Sequence, residues 1–400
     1  MDLGDLRGHL TYSTLVHAGD TWPEMWNSLI TYVPEVKRAV CPDAPFGVSL
    51  RLSAASAAEL TENPDERRKL KEFLDSSDMY LYTVNAFPYG PFKGRQVKEQ
   101  VYEPDWQTDE RVEYTIQVAD ILAEVAAPGA SPSIQTAPLA FRPNITSAAQ
   151  VTLLTTNVMR VVAHLVRLER RTGRRVKLAL EPEPYCYLET IDDTVKFFTE
   201  QVFTDVAASE LAMLAGIPLS EAIGAMRRYL GVVFDICHQA VEFEDITQDL
   251  ADLKAAGIPV FKLQEAAALW LPEVDDEIIE NLSRFTDTIY LSQTTELRGG
   301  RLTKFLNLED AIAAYRLDPG PREWRTHFHV PVFLTDLGPF KTTRFAIEAA
   351  LAVHRAEPVS DHLEIETYTW DVLPDHLKTG SITDYVVREI NWVKGQVVGV

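Results

Sequence analysis

Cysteine is scarce in this 400-residue chain. Cys41, Cys186 and Cys237 show no paired spacing and form no CxxC, which excludes a disulfide framework and fits a reducing compartment. Basic residues are also few: 38 Lys and Arg stand against 59 Asp and Glu, a formal net charge of −21. Nucleic-acid binding needs clustered Lys and Arg to neutralise phosphates, so nucleic acid is excluded as the main partner. No run of about 18 apolar residues occurs, so membrane insertion is not expected. The N-terminal MDLGDLRGHLTYST lacks a basic segment followed by an apolar core, so no secretory leader is read there and a cytoplasmic location is expected. GxGxxG, a P-loop, internal repeats and low-complexity tracts are all missing, which removes the common nucleotide-binding motifs.

What is present is ordinary globular composition, 46% hydrophobic and 24% charged. Short β-like runs alternate with longer amphipathic stretches. The runs are HLTYST (9–14), FGVSLRLS (46–53), MYLYTVNAF (79–87), SIQTAPLAF (133–141), VKLALEP (176–182), GVVFDIC (231–237), IPVFKLQ (258–264) and HLEIETYTW (362–370). Helical spacing of apolar residues fills the gaps, as in WPEMWNSLITYVPEVKRAV. This βα alternation implies a parallel sheet, and its repetition predicts one closed (β/α)8 TIM barrel over residues 1–400. TIYLSQTTEL and RTHFHVPVFL raise the strand count to ten, so residues from about 265 to 345 are read as an insertion or rim subdomain. The loop at 88–110 carries Tyr89, Phe92, Tyr102 and Trp106 and reads either as a lid over an active site or as a loop packed on the rim.

Four of the runs end in a group able to bind a metal. Strand parity puts Lys177, Ala179 and Glu181 on one face, Lys262 with Gln264, and Glu364 with Glu366. If the leucine faces pack outward, Glu181, Gln264 and Glu366 point into the barrel mouth, and Asp235 ends a strand beside them, with His238 three residues on. Carboxylates at the end of apolar runs are costly without a partner, and a cation is the simplest one. The candidate ligands are therefore Glu181, Asp235, Gln264 and Glu366. An oxygen-rich set favours Mn²⁺ or Mg²⁺, with Zn²⁺ or Co²⁺ as alternatives. Glu364, deeper in the barrel, is expected to pair with Lys177 or Lys262. His327 and His329, two apart on one strand face, read equally as an extension of the metal site, a substrate-binding pair or a core pair.

These stretches, together with HLTYSTLVHAGDTW, NAFPYGPFKGRQVKEQVYEPDW, CYLET, FDICHQAVEFED, FKLQEAAAL, HFHVPVF and LEIETYTWDVLP, resemble the xylose-isomerase-like superfamily of sugar isomerases and epimerases, and within it the EboE family of bacterial metabolite-traffic gene clusters. The resemblance implies a divalent metal on the four residues named, with Gln264 standing where many members have His. It implies Glu181 and Glu366 as the acid/base pair in proton transfer through an enediolate. His238, Lys262, Arg51, His329, Asn85 and Trp370 become candidate substrate contacts. The implied substrate is a small sugar, keto-cyclitol or related carbonyl polyol, with possible protein partners from the same gene cluster. The alternative is a binding protein that kept the fold and lost the chemistry.

Overall fold

The computed structural model describes residues 1–5, 7–92, 97–282, 291–369, 378 and 380–399. Eight short strands, β1 (His9–Tyr12), β2 (Phe46–Arg51), β3 (Met79–Asn85), β4 (Ser133–Thr136), β5 (Lys177–Leu180), β6 (Leu230–Asp235), β7 (Val260–Glu265) and β14 (His362–Ile365), are buried almost throughout. They form one sheet in the order β1-β14-β7-β6-β5-β4-β3-β2, and every pair is parallel. The two end strands meet at a parallel bridge between Ser13 and Ser49 and through the Thr11 hydroxyl, which donates to the Gly47 carbonyl at 2.7 Å. The result is the expected (β/α)8 barrel. Gly47 is required at this seam: a Cβ there would lie 2.3 Å from the Tyr82 ring.

The helices that cover the barrel follow their local signals. Trp22–Val40 begins at a Thr21–Glu24 capping box, and Ala148–Thr172 ends at Gly173 in the left-handed conformation. The latter is long and apolar enough on length and composition to cross a membrane. Here it buries Leu154, Val158, Val161, Leu165 and Leu168 in the main core, the behaviour of a central barrel helix.

A second sheet lies between β7 and β14. It contains β8 (Ala267–Leu271), β9 (Thr294–Arg298), β10 (Arg301–Phe305), β11 (Glu323–Val330), β12 (Asp336–Leu337) and β13 (Phe340–Thr342). Its order is β10-β9-β11-β8-β13-β12, antiparallel throughout. Only Ala266 separates β7 from β8, so the chain leaves the barrel rim directly into this sheet. Among the described residues there are thus fourteen strands where the sequence pattern predicts ten. The extra ones, β8, β10, β12 and β13, all belong to the second sheet. β8 runs on from β7 without a turn signal, β10 is largely exposed and carries no hydrophobic alternation, and β12 and β13 are two and three residues long. The final barrel strand ends at Ile365, short of the expected 370; Trp370, like residues 93–96 of the expected lid loop, lies outside the described residues.

The C-terminal helix Ile382–Val398 ties both parts together. Its buried Glu389 accepts hydrogen bonds from the Val332 amide at 3.2 Å and the Thr367 hydroxyl at 2.8 Å. Burial raises its pKa from 4.5 to about 8. The folded state therefore keeps a proton that the unfolded chain releases at lower pH. This group's contribution to stability is greatest below the unfolded pKa and falls as pH rises towards about 8. Glu389→Gln keeps an acceptor and removes the titration. It should melt higher than the parent at about pH 8.5 and close to it at about pH 4.5, by calorimetry. A parent that stays the more stable form at the higher pH would refute the assignment.

Candidate metal centre and binding cavity

The barrel interior is polar along its axis, where aliphatic layers are usual. At its centre Lys262 and Glu364 are fully buried, with Nζ 3.0 Å from Glu364 Oε2 and 2.7 Å from Gln135 Oε1. Of the two partners expected for Glu364, Lys262 is the one it meets. This pair orients two amides. Gln135 turns its oxygen to Lys262, so its Nε2 donates to Glu181 Oε2 at 2.6 Å. Gln264 Nε2 donates to Glu364 Oε1 at 3.1 Å, and its Oε1 is buried with no hydrogen-bond partner.

Above this layer the strand ends bring three carboxylates together. Ligand oxygens of Glu181, Asp235 and Glu366 all lie within 4.8 Å of one another, and all three residues are buried. Glu366 Oε1 accepts from Asn85 Nδ2 at 3.0 Å. Asp235 Oδ1 accepts from the Cys237 and His238 amides at 2.7 and 3.3 Å, while its Oδ2 is buried without a hydrogen-bond partner. Gln264 pairs in register with Asp235 on one side and Glu364 on the other. Burial first, then the neighbouring carboxylates, hold Glu181 and Glu366 well above the usual carboxylate range. Burial pushes Asp235 up to about 6, partly opposed by His329 and the two amides. Three crowded acids, an amide oxygen and an orphaned carboxylate oxygen form a donor set that suits a divalent cation.

Three imidazoles stand beside this set. Each has Nδ1 against an acceptor: His238 on the Pro182 carbonyl at 2.8 Å, His329 on the Glu366 carbonyl at 2.6 Å, and His327 on Gln293 Oε1 at 3.0 Å. Gln293 Nε2 in turn donates to Glu183 Oε1 at 3.1 Å, which orients its oxygen towards His327. The Nε2 atoms of His327 and His329 face each other at 3.1 Å, and His238 Nε2 lies 3.6 Å from Asp235 Oδ2. His238 and His329 face backbone carbonyls with Nδ1, so Nδ1 donates and Nε2 keeps the lone pair, the tautomer of a metal-binding histidine. Asp235, His238 and His329 also lie within ligand range of one another.

A cavity of about 520 Å³, counted to its open mouth, sits over the carboxylates. Glu181, Glu366, Asn85 and His238 line it. Asp235, Gln264, Lys262 and His329 lie beneath and do not line it. Arg51 faces elsewhere: its guanidinium bonds Asp20 Oδ1 at 2.9 Å and the Gly19 and Gly90 carbonyls at 2.8 and 2.9 Å, clamping loops at the rim. Lys262 is likewise committed to Gln135 and Glu364, below substrate reach. Trp370 lies outside the described residues. The sequence reading missed Gln135, Gln293 and Lys98, all of which line the cavity. Gln135 had a signal, an amide in a short strand that ends in the barrel; Gln293 lies in an irregular segment and Lys98 in a short 3₁₀ turn, and neither had one.

No family model matches the chain, and no curated protein matches it. Among solved structures it is similar to the IolI protein with a bound zinc atom, at 12% identity over 98% of both chains with a TM-score of 0.50. It is also similar to a xylose isomerase domain protein from Planctomyces limnophilus, at 14% identity over 92% of this chain and 93% of that one with a TM-score of 0.49. A xylose isomerase-like TIM barrel protein from Mycobacterium smegmatis in complex with magnesium gives 10% identity over 97% and 99%, with a TM-score of 0.48. The likeness is one of fold, the (β/α)8 barrel.

Two outcomes follow from this geometry. Lys262→Met leaves Glu364 as an unpaired buried charge and should cost about 3–5 kcal/mol in denaturant unfolding, most of it recovered when Glu364→Met is added. A single variant as stable as the parent would contradict the central role of the pair. MnCl₂ should raise the melting temperature of the parent, by about 2.7 kcal/mol of stabilisation at a hundredfold excess over Kd. Glu181→Gln and Asp235→Asn should each lose that rise and melt above the parent in chelator, because one of three mutually repelling acids is gone. A metal response retained in both variants would rule out the site.

Proposed function

We propose that the chain is a metal-dependent enzyme of the isomerase or epimerase type, moving a proton on carbon next to a carbonyl in a sugar, keto-cyclitol or related polyol. One observation carries the proposal: the buried convergence of Glu181, Asp235 and Glu366 within 4.8 Å, with Glu181 and Glu366 lining a cavity. The IolI protein, similar in fold, is seen with a bound zinc atom, which supports a metal in this chain. Glu181, Asp235, Gln264 and Glu366 would hold the ion, and their oxygens favour Mn²⁺ or Mg²⁺, while the adjacent imidazoles admit Zn²⁺ or Co²⁺. When bound, a divalent ion supplies polarisation of the carbonyl and neighbouring hydroxyl oxygens.

The chain's own groups do the proton work. Gln135 fixes one oxygen of Glu181 and Asn85 fixes one of Glu366, so each carboxyl has a set orientation. Burial and neighbouring carboxylates hold both groups well above the usual carboxylate range, and in this reading one removes the proton and the other returns it. His238, tied to the Pro182 carbonyl, presents Nε2 beside them and takes the role of a substrate-hydroxyl partner. The resemblance to the EboE family extends the proposal to a cytoplasmic step in maturation or export of a secondary metabolite, beside proteins of the same gene cluster.

The test is exchange in D₂O. The protein with Mn²⁺ is incubated with a panel of ketoses and keto-cyclitols, and deuterium next to the carbonyl is followed by NMR. Incorporation is expected with at least one member. Glu181→Gln and Glu366→Gln should each reduce it at least about a hundredfold, the lower range for a general base. Saturable binding across the panel with no exchange would establish a carrier on the same fold instead.

A further inference from the structure

The cavity has a mixed lining. Asn85, Gln135, Glu181 and Glu366 come from the ends of barrel strands and their exits, and Lys98, Glu183, His238, Gln293 and His327 are the further charged and amide groups on it. Its apolar lining, among the described residues, comes largely from two small clusters that are separate from the main core. One contains Leu15, Phe92 and Val97, the other contains Phe87 and Leu291, and Val101 packs against both. All six of these side chains line the cavity. The 3₁₀ turn Lys98–Tyr102 carries Val101. Its Tyr102 hydroxyl is 2.8 Å from Glu183 Oε1, and Lys98 Nζ is 3.0 Å from Asn307 Oδ1, so the apolar wall is pinned at both ends of the turn.

We infer that the substrate is amphipathic: an α-hydroxycarbonyl or polyol head at the carboxylates, joined to an aryl or branched alkyl group that packs on the two apolar clusters. The inference rests on the proton-transfer reading for the head group and goes beyond it for the rest of the molecule. A substrate bearing hydroxyls all round would turn several of them against Leu15, Phe87, Phe92, Val97, Val101 and Leu291, and each hydroxyl buried without a partner weakens binding. An apolar substituent avoids that loss and gains from removing both surfaces from water. The polar lining needs no such group, since its amides and acids already present directed donors and acceptors.

The test compares two probes with one head group, hydroxyacetone and 1-hydroxy-4-phenylbutan-2-one, by calorimetric titration into the full chain with Mn²⁺. The phenyl probe should bind at least about tenfold more tightly. In Val101→Thr and in Leu291→Asn that ratio should fall below about threefold, because each substitution puts a polar group into the apolar wall. Melting temperatures of both variants with Mn²⁺ report folding, and two separate positions guard against loss of either one. Equal affinities in the parent, no binding of either probe, or a ratio unchanged in both variants overturns the inference. Deuterium exchange into the probes is read separately: its absence with the phenyl preference retained removes the proton-transfer reading and leaves the amphipathic ligand standing.

Discussion

The Lys262–Glu364 pair is the interaction on which the rest of the site depends. Both residues are wholly buried in the barrel axis, where a lone charge would be heavily penalised. Their attraction makes each tolerable, and their remaining hydrogen-bond capacity dictates the amides around them. Lys262 can only donate, so Gln135 offers its oxygen and sends its N–H to Glu181. Ionised Glu364 can only accept, so Gln264 offers its N–H and leaves its oxygen free towards Asp235. One ion pair thereby decides which atoms of two neutral side chains face the strand ends.

The second sheet is part of the same site. β11 carries His327 and His329, and His329 meets the backbone of Glu366 immediately after the last barrel strand. Gln293, just before β9, links His327 to Glu183, and Tyr102 reaches the same carboxyl from the other side. The imidazoles are therefore oriented by groups from the barrel, the second sheet and the loop after β3. In the reading proposed, this divides labour: the barrel supplies acids and amides, and the inserted sheet supplies imidazoles.

Much of this was legible in the sequence because period and parity are local. The apolar runs around Leu178, Val232 and Leu363 announce barrel strands, and parity alone puts Glu181, Gln264 and Glu366 on inward faces. What parity could not give is depth. Glu181 and Gln264 both face inward, yet Glu181 lines the cavity while Gln264 is bonded to Glu364 and does not. Arg51, which shares the strand-end position of the acids, turns to Asp20 and two carbonyls because rim loops distant in sequence come within its reach. The second sheet was illegible in detail because its edge strand β10 is exposed and so carries no hydrophobic alternation.

The sequence by itself determined the class of fold, the positions of the barrel strands and the identity of the converging acids, since these follow from hydrophobic period, strand parity and the cost of carboxylates beside apolar runs. Only the tertiary structure decided which partner Glu364 takes, which way Gln135, Gln264 and the three histidines turn, and that residues of two apolar clusters line the same cavity as Glu181 and Glu366. Those choices depend on hydrogen bonds and contacts between residues tens to hundreds of positions apart, where each donor is set by the acceptor that packing brings to it.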